Sequence, residues 1–342
     1  MEIEETKING VIRYTSKGIK VYRIPAENFP NHFTNVYLIM DREASLVDVG
    51  IGREKARTDL ERGWEIINRE FKESIGLEEV RHIIITHGHI DHFGMLSDQK
   101  LKGKRLYIHQ LDSQQIKNFP QESSMLMERT GKLVKTAGCY SIDGEKLSFR
   151  IQFSIEPADY DLIEVKDRDK IVNGYTVYHT PGHSLGEICL GVGDFLFLGD
   201  LILSVTTPHQ SPKSEGGAGL KAYLDSLKKV AQLPAELGLP GHEDTVYSVK
   251  ARVEELEGFH YQRLEELVEL CQREKNLAQL TREYYEKHPE LMETPYAEAL
   301  SEEYNRALAL DEIKAHVEYL LENNRMVITR IKDGVVSYQS RQ

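Results

Sequence analysis

Residues 86–94 read "THGHIDHFG", and this one short loop carries His87, His89, Asp91 and His92 in the pattern HxHxDH. Two residues apart on a tight turn, the imidazoles of His87 and His89 can converge on one cation, which zinc holds at ~2.0–2.1 Å from nitrogen. Asp91 and His92 are displaced along the chain and can serve a second cation beside the first. A complete two-metal site needs one further neutral ligand for each ion and a carboxylate able to bridge them. His183, His242 and Asp200 supply those three.

The reason to group them is positional. Four short apolar runs lead into these residues: "RHIIIT" into His87, "YTVYHTPGH" into His183, "FLFLGD" into Asp200 and "ELGLPGH" into His242. Continuous apolar runs are the mark of strands buried on both faces. Ligand sites gather on the loops that leave such strands. A lone histidine at a strand end is usually structural and satisfied by a hydrogen bond. Seven suitable side chains on four strand ends make a site. Two cations ~3.5–4 Å apart can trap a water, lower its pKa and deliver hydroxide at neutral pH, so hydrolysis needs no serine or cysteine nucleophile. Asp91 is the candidate catalytic residue, placed to orient that nucleophile or carry a proton to the leaving group. Asp48, in "LVDVG", is expected to orient a ligand from behind. His209 follows the Asp200 strand and is expected as a substrate contact. His82, His109, His179, His260, His288 and His316 have no such support and read as structural or surface residues.

Composition narrows the rest. The 342 residues are 40% hydrophobic and 29% charged, an ordinary folded chain with no apolar run near the ~18 residues of a membrane span. The opening "MEIEETKING" is polar and has no signal-peptide pattern. Cys139, Cys189 and Cys271 are widely spaced and odd in number, which argues against disulfides and thiolate zinc sites and points to a reducing, cytoplasmic setting. A formal charge of −12 disfavours non-specific attraction to nucleic acid or anionic lipid.

Along the chain, the first fifty residues alternate like an antiparallel meander, and residues 53–75 have helical spacing around Trp64. The stretch 110–165 reads as an insertion of mixed helix and loop, a possible lid. From residue 248 the character changes. "SVKARVEELEGFHYQRLEELVELCQRE" carries an apolar stripe of Val253, Leu256, Phe259, Leu264, Leu267, Val268 and Leu270. Two more helical segments follow, then "MVITRIKDGVVSYQ", a hairpin around Lys-Asp-Gly. The expected organisation is therefore a catalytic domain over 1–247 and a small helical, winged-helix-like domain over 248–342.

The motif order resembles the metallo-β-lactamase superfamily over about residues 18–247: "LVDVG", "THGHIDHFG", "HTPGHS", "GDL" and "LPGHED". The resemblance implies an α/β fold, an αββα sandwich of two sheets faced by helices. It assigns His87, His89 and His183 to the first metal, Asp91, His92 and His242 to the second, and Asp200 to both. Diiron flavoproteins of this fold replace the second histidine of the motif with a carboxylate, whereas His89 is intact. Nucleic-acid-processing members place a large insert between the aspartate and the last histidine, but only 41 residues separate Asp200 from His242. The exported antibiotic-hydrolysing branch departs from the full ligand set. The chain is most similar to the hydroxyacylglutathione hydrolase group and to the β-lactamase-like-protein-2 branch, which also bears a C-terminal helical extension.

The expectation is a di-metal hydrolase of a small acyl thioester or related ester, using two divalent ions: zinc by default, with manganese or iron as alternatives. Residues 248–342 hold 13 Lys and Arg against 19 Asp and Glu, which suits packing or a homodimer contact better than a nucleic-acid grip. The alternatives are a metal-dependent single-strand endoribonuclease, from the branch resemblance, and a mono-iron persulfide dioxygenase.

Overall fold

The computed structural model describes residues 3–139, 159–292 and 302–341. Eight strands form a first sheet in sequence order: β1 (Glu4–Ile8), β2 (Val11–Ser16), β3 (Ile19–Phe29), β4 (His32–Met40), β5 (Ser45–Val47), β6 (His82–Ile84), β7 (Arg105–His109) and β8 (Asp161–Val165). Neighbours are antiparallel up to β5, as the alternating N-terminal pattern predicts. From β5 to β8 they are parallel, each reached by a crossover. A second sheet has the order β12 (Leu237–Pro240), β11 (Phe195–Gly199), β10 (Ile188–Val192), β9 (Thr176–His179).

The two-residue period of a strand decides what each sheet face meets. On β4, Val36 and Leu38 pack on α1 (Glu54–Arg69) with its Leu60 and Ile67, while Tyr37 and Ile39 point the other way. There they meet Phe197, Leu190 and Leu239 of the second sheet. On β11, Leu196 and Leu198 turn outward against Leu224 and Leu227 of α5 (Leu220–Val230). The layers are helix, sheet, sheet, helix, as expected.

Short helices follow β6 and β7: α2 (Ile90–Phe93), which holds Asp91 and His92, then α3 (Ser113–Lys117) and α4 (Phe119–Thr136). Of the stretch expected as a lid, α3, α4 and β8 are thus regular elements, with Leu133 and Val134 of α4 in the core beside α5. Residues 140–158 lie outside the described residues.

The C-terminal part comprises α6 (Val249–Leu270), α7 (Leu277–Lys287), α8 (Glu302–Glu322) and a sheet ordered β13 (Lys275–Asn276), β15 (Val335–Ser340), β14 (Met326–Lys332). The hairpin turn falls on Asp333 and Gly334, both at positive φ (52° and 83°), the pair a tight two-residue turn requires. The buried face of α6 differs from the apolar stripe read from sequence. His260 and Arg263 lie fully inside with Val253, Leu256, Leu264 and Leu267, while Val268 and Leu270 are only partly buried against the same core and Phe259 is half-exposed. The two polar residues find partners: His260 Nδ1 is 3.0 Å from His316 Nε2, and Arg263 pairs with Glu312 at 2.5 Å. Leu264, Leu267, Ile313 and Leu320 share one core with Leu198 and Leu224, so the C-terminal helices extend the outer helical layer.

Candidate metal centre

Each loop that leaves β6, β9, β11 and β12 delivers its polar residue to one point. Oδ2 of Asp200, just past β11, is the middle of it. It lies 3.1 Å from His242 Nε2, 3.5 Å from His92 Nε2, 3.6 Å from His183 Nε2 and 4.0 Å from His87 Nε2. His89 reaches the same cluster through Nδ1, 3.0 Å from His87 Nε2. Asp91 Oδ2 is 3.4 Å from His242 Nε2. The seven side chains named from sequence therefore face one another.

The histidines are aimed from behind. His92 Nδ1 donates to Asp48 Oδ2 at 2.8 Å, His183 Nδ1 to the His209 carbonyl at 2.9 Å, and His242 Nδ1 to the Phe33 carbonyl at 2.7 Å. Each contact leaves Nε2 turned inward, the arrangement that fixes tautomer and ring orientation in metal sites. Asp48, expected to orient a ligand, sits at the end of β5 with φ of 55° and also accepts from Thr86 N and Oγ1, both at 2.8 Å. Gly241 lets these loops approach: a Cβ there would stand 2.4 Å from Asp200 Oδ1 and 2.7 Å from His92 Cε1. Only glycine fits.

The electrostatics suit cations. Burial holds His87 well below the ordinary histidine range, lowers His89 and takes His183 to about 3, so all three are neutral donors. At His92 burial acts in the same direction, but the carboxylates of Asp200, Asp48 and Asp91 outweigh it and raise the ring to about 10. His242 is raised for a like reason, chiefly by Asp200. Against their own burial, Asp200 and Asp91 are kept well below the usual carboxylate range by these imidazoles. Asp200 Oδ1 is buried without a hydrogen-bond partner. A buried carboxylate oxygen without a donor is costly in a closed interior and is what a divalent cation would satisfy. The donor set of imidazoles and carboxylates fits two such ions.

His209, expected as a substrate contact, is engaged on both its backbone and its ring. Its carbonyl holds His183, and its ring Nε2 turns to Asp311 Oδ2 on α8 at 3.0 Å. Three further residues went unread in the sequence. His32, the first residue of β4, forms a ligand-competent group with Asp91 and His242. Asp112 accepts from Gly88 N at 2.7 Å, Ser184 Oγ at 2.6 Å and Gly186 N at 2.7 Å, and so joins the His87 and His183 loops. Glu187, fully buried, accepts from Asp200 N at 2.7 Å, and burial beside Asp200 raises its carboxyl well above the usual range. A signal existed for Asp112 in its place just past a strand end; His32 and Glu187 stand in no motif. Residues 182–186 spell GxSxG, the pattern of a serine nucleophile, but Ser184 Oγ is committed to Asp112 and β10 follows where that motif needs a helix.

The sequence model of the Metallo-beta-lactamase superfamily matches residues 30–242. "Acyl-coenzyme A thioesterase MBLAC2" of Homo sapiens is 27% identical over 222 residues, 62% of this chain and 73% of that protein. "Probable metallo-hydrolase YqjP" of Bacillus subtilis is 25% identical over 259 residues, 70% and 76% of the two chains. Among solved structures, the metallo-beta-lactamase family protein TTHA1429 from Thermus thermophilus superposes with a TM-score of 0.74 at 25% identity, covering 94% of this chain and 98% of its own. A beta-lactamase domain protein from Burkholderia ambifaria covers 99% of this chain and 95% of its own at a TM-score of 0.69 and 23% identity, which speaks to the fold alone. With the family's model matched over more than half its length and its fold and motif order in place, the chain belongs to the metallo-β-lactamase superfamily.

Proposed function

We propose that this superfamily hydrolase cleaves a small acyl thioester. The observation that carries the reading is the seven-residue cluster around Asp200 Oδ2, which fits two divalent cations and, among the described residues, holds no serine or cysteine as a nucleophile. Such cations, zinc by default and manganese or iron as alternatives, would supply Lewis acidity and a water of lowered pKa. Asp91, with 19% of its side chain exposed, is the one carboxylate of the cluster open enough to meet substrate. It orients the attacking water and passes a proton to the leaving sulfur.

Exposed apolar side chains stand on the segments tied to the cluster, which favours an acyl group over a polar one. Phe33, Leu111, Leu185 and Val205 are exposed. Each lies on a loop or strand start already tied to the cluster: Phe33 through His242, Leu111 beside Asp112, Leu185 beside Ser184, and Val205 through Glu243, next to His242. The thioesterase name of the human relative supports the same reading. The partner is then a small molecule, with no nucleic acid or membrane required, and the protein works in the cytoplasm, where coenzyme A and glutathione esters occur. Among the described residues no helix is long and apolar enough to cross a membrane. A homodimer through the C-terminal helices belongs to the same proposal.

The test is a panel of acyl-coenzyme A and acyl-glutathione esters, followed by thiol release, with protein loaded separately with zinc, manganese and iron. Turnover that an Asp200→Asn variant reduces by ~10³ is the expected result, because the residues of one site act as a unit. Silence across the panel sinks the proposal. Salt-sensitive cleavage of single-stranded RNA would replace it with the nuclease reading, and oxygen consumption on a persulfide by the iron form would replace it with the dioxygenase one.

A further inference from the structure

The turn between β3 and β4 brings a further histidine to the centre. Asn31 takes a left-handed φ of 61° at the hairpin tip, and the chain re-enters the sheet at His32. The next residues lace this hairpin to the cluster. Phe33 O accepts from His242 Nδ1 at 2.7 Å, and Thr34 Oγ1 donates to the Asp91 carbonyl at 3.0 Å. Three consecutive residues thus touch the ligands expected for the second cation, and the first of them brings a ring nitrogen.

We propose that His32 is an additional imidazole ligand of the second cation position, alongside Asp91, His92, His242 and the shared Asp200. The inference rests on the two-metal reading above. His32 is 5% exposed, and its Nε2 lies 3.6 Å from Asp91 Oδ2. His242 Nε2 lies 3.4 Å from that same oxygen. Two donors on one cation at ~2.0–2.2 Å can stand no more than ~4.3 Å apart, and both separations fall inside that limit. The offered atoms of His32, Asp91 and His242 all lie within 4.8 Å of one another. The ring is also held: its centroid is 4.4 Å from that of His242 and 6.1 Å from that of Phe29. Arg53 in turn covers Phe29, its guanidinium carbon 4.5 Å from the ring centre. A ligand locked by its own neighbours is the pattern of a preorganised site.

The consequence is asymmetry. The first position has three imidazoles and the shared carboxylate, a set that a tetrahedral ion can close. With His32 the second has three imidazoles and two carboxylates, one more donor than tetrahedral zinc takes. Five donors suit ions that accept higher coordination numbers, such as manganese, iron or cobalt, and leave the second position fewer open places.

Cobalt(II) loading tests this without reference to turnover. Metal-free wild type and a His32→Phe variant, which keeps a stacked ring and removes the donor, are titrated with cobalt against a chromophoric chelator while the d–d absorption is followed. The expected result is two equivalents bound by the wild type, with one of them weakened at least ~10-fold in the variant and the other unchanged. The weakened equivalent should also shift from the faint bands of five- or six-coordination toward the stronger bands of four-coordination. A second readout needs no variant: hyperfine-shifted imidazole protons of the loaded wild type should number six rings, where five are expected without His32. Two equivalents bound equally well by wild type and His32→Phe with superimposable spectra, or five shifted rings, would overturn the assignment of His32 alone. A wild type that binds fewer than two cobalt ions would overturn the two-metal reading itself and the assignment with it.

Discussion

Asp311 on α8 lies 3.0 Å from the Nε2 of His209, and the carbonyl of that histidine takes the Nδ1 hydrogen of His183 at 2.9 Å. A C-terminal helix therefore reaches a candidate metal ligand through one intervening residue. Replacing Asp311 by Ala should loosen the segment after Asp200 and weaken the cation position of His87, His89 and His183 by ~10-fold, the lower end of what partners behind a ligand contribute. Chelator competition on the two positions separately would check it. The contacts of α8 that lie away from His209, such as Lys213 Nζ with Glu322 at 2.7 Å, remain to hold the helix in place.

Asp112 is bonded to both the His87 and the His183 loops. An Asp112→Ala variant leaves the Gly88 and Gly186 amides without acceptors in a buried setting, and each such loss costs ~1–3 kcal/mol. We expect a lower urea midpoint and a loss of activity of ~10² or more, since both loops shift together. Unchanged stability would refute the role.

Asp48 supports His92 from behind, with Oδ2 at 2.8 Å from Nδ1. Asp48→Asn keeps the size of the side chain and removes the charge. Affinity at the second cation position should fall ~10–100-fold while the first position holds. Isothermal titration with zinc would resolve the two steps.

Acid sensitivity should originate in part from the C-terminal core. Burial, with Arg263 adding to it, lowers His316 to about 3, and burial holds His260 well below its ordinary range. Both are neutral in the fold, whereas the unfolded chain takes up protons below ~6.5. The unfolded state then binds more protons, so stability is complete above pH ~6.5 and declines as pH falls from there toward about 3. The slope is at most ~1.4 kcal/mol per pH unit for each histidine. Urea midpoints of metal-free protein between pH 7.5 and 5 should fall less steeply in His316→Gln than in wild type. Parallel curves would remove the histidine pair from the account.

The sequence made the seven-residue cluster legible because metal chemistry narrows the residue types, and because four short apolar runs lead into His87, with its neighbours in the same loop, His183, Asp200 and His242. Nothing comparable marks His32. It stands alone at a hairpin tip, and its partners Asp91 and His242 are brought to it only by the pairing of sheets. Glu187 was hidden for a different reason: "GEICL" looks like an ordinary strand start, and only the fold shows that its carboxyl accepts from the Asp200 amide. The inward turn of His260 and Arg263 on α6 escaped the apolar pattern because polar side chains were assumed to face out. Their partners, His316 and Glu312, lie on α8, out of sight of any local periodicity. The GxSxG stretch is the converse case, a pattern present without the strand–turn–helix setting that gives it meaning.

The continuity of one core from Leu198 of the second sheet through Leu224 to Leu264 and Leu320 bears on how the gene can vary. A change in α6 or α8 that loosens this packing would loosen the wall behind His183 and Asp200 as well. Damaging alleles at C-terminal positions far from any histidine of the cluster would then surface as metal-starved protein, and suppressors of such alleles would be found by repacking leucines rather than by restoring ligands.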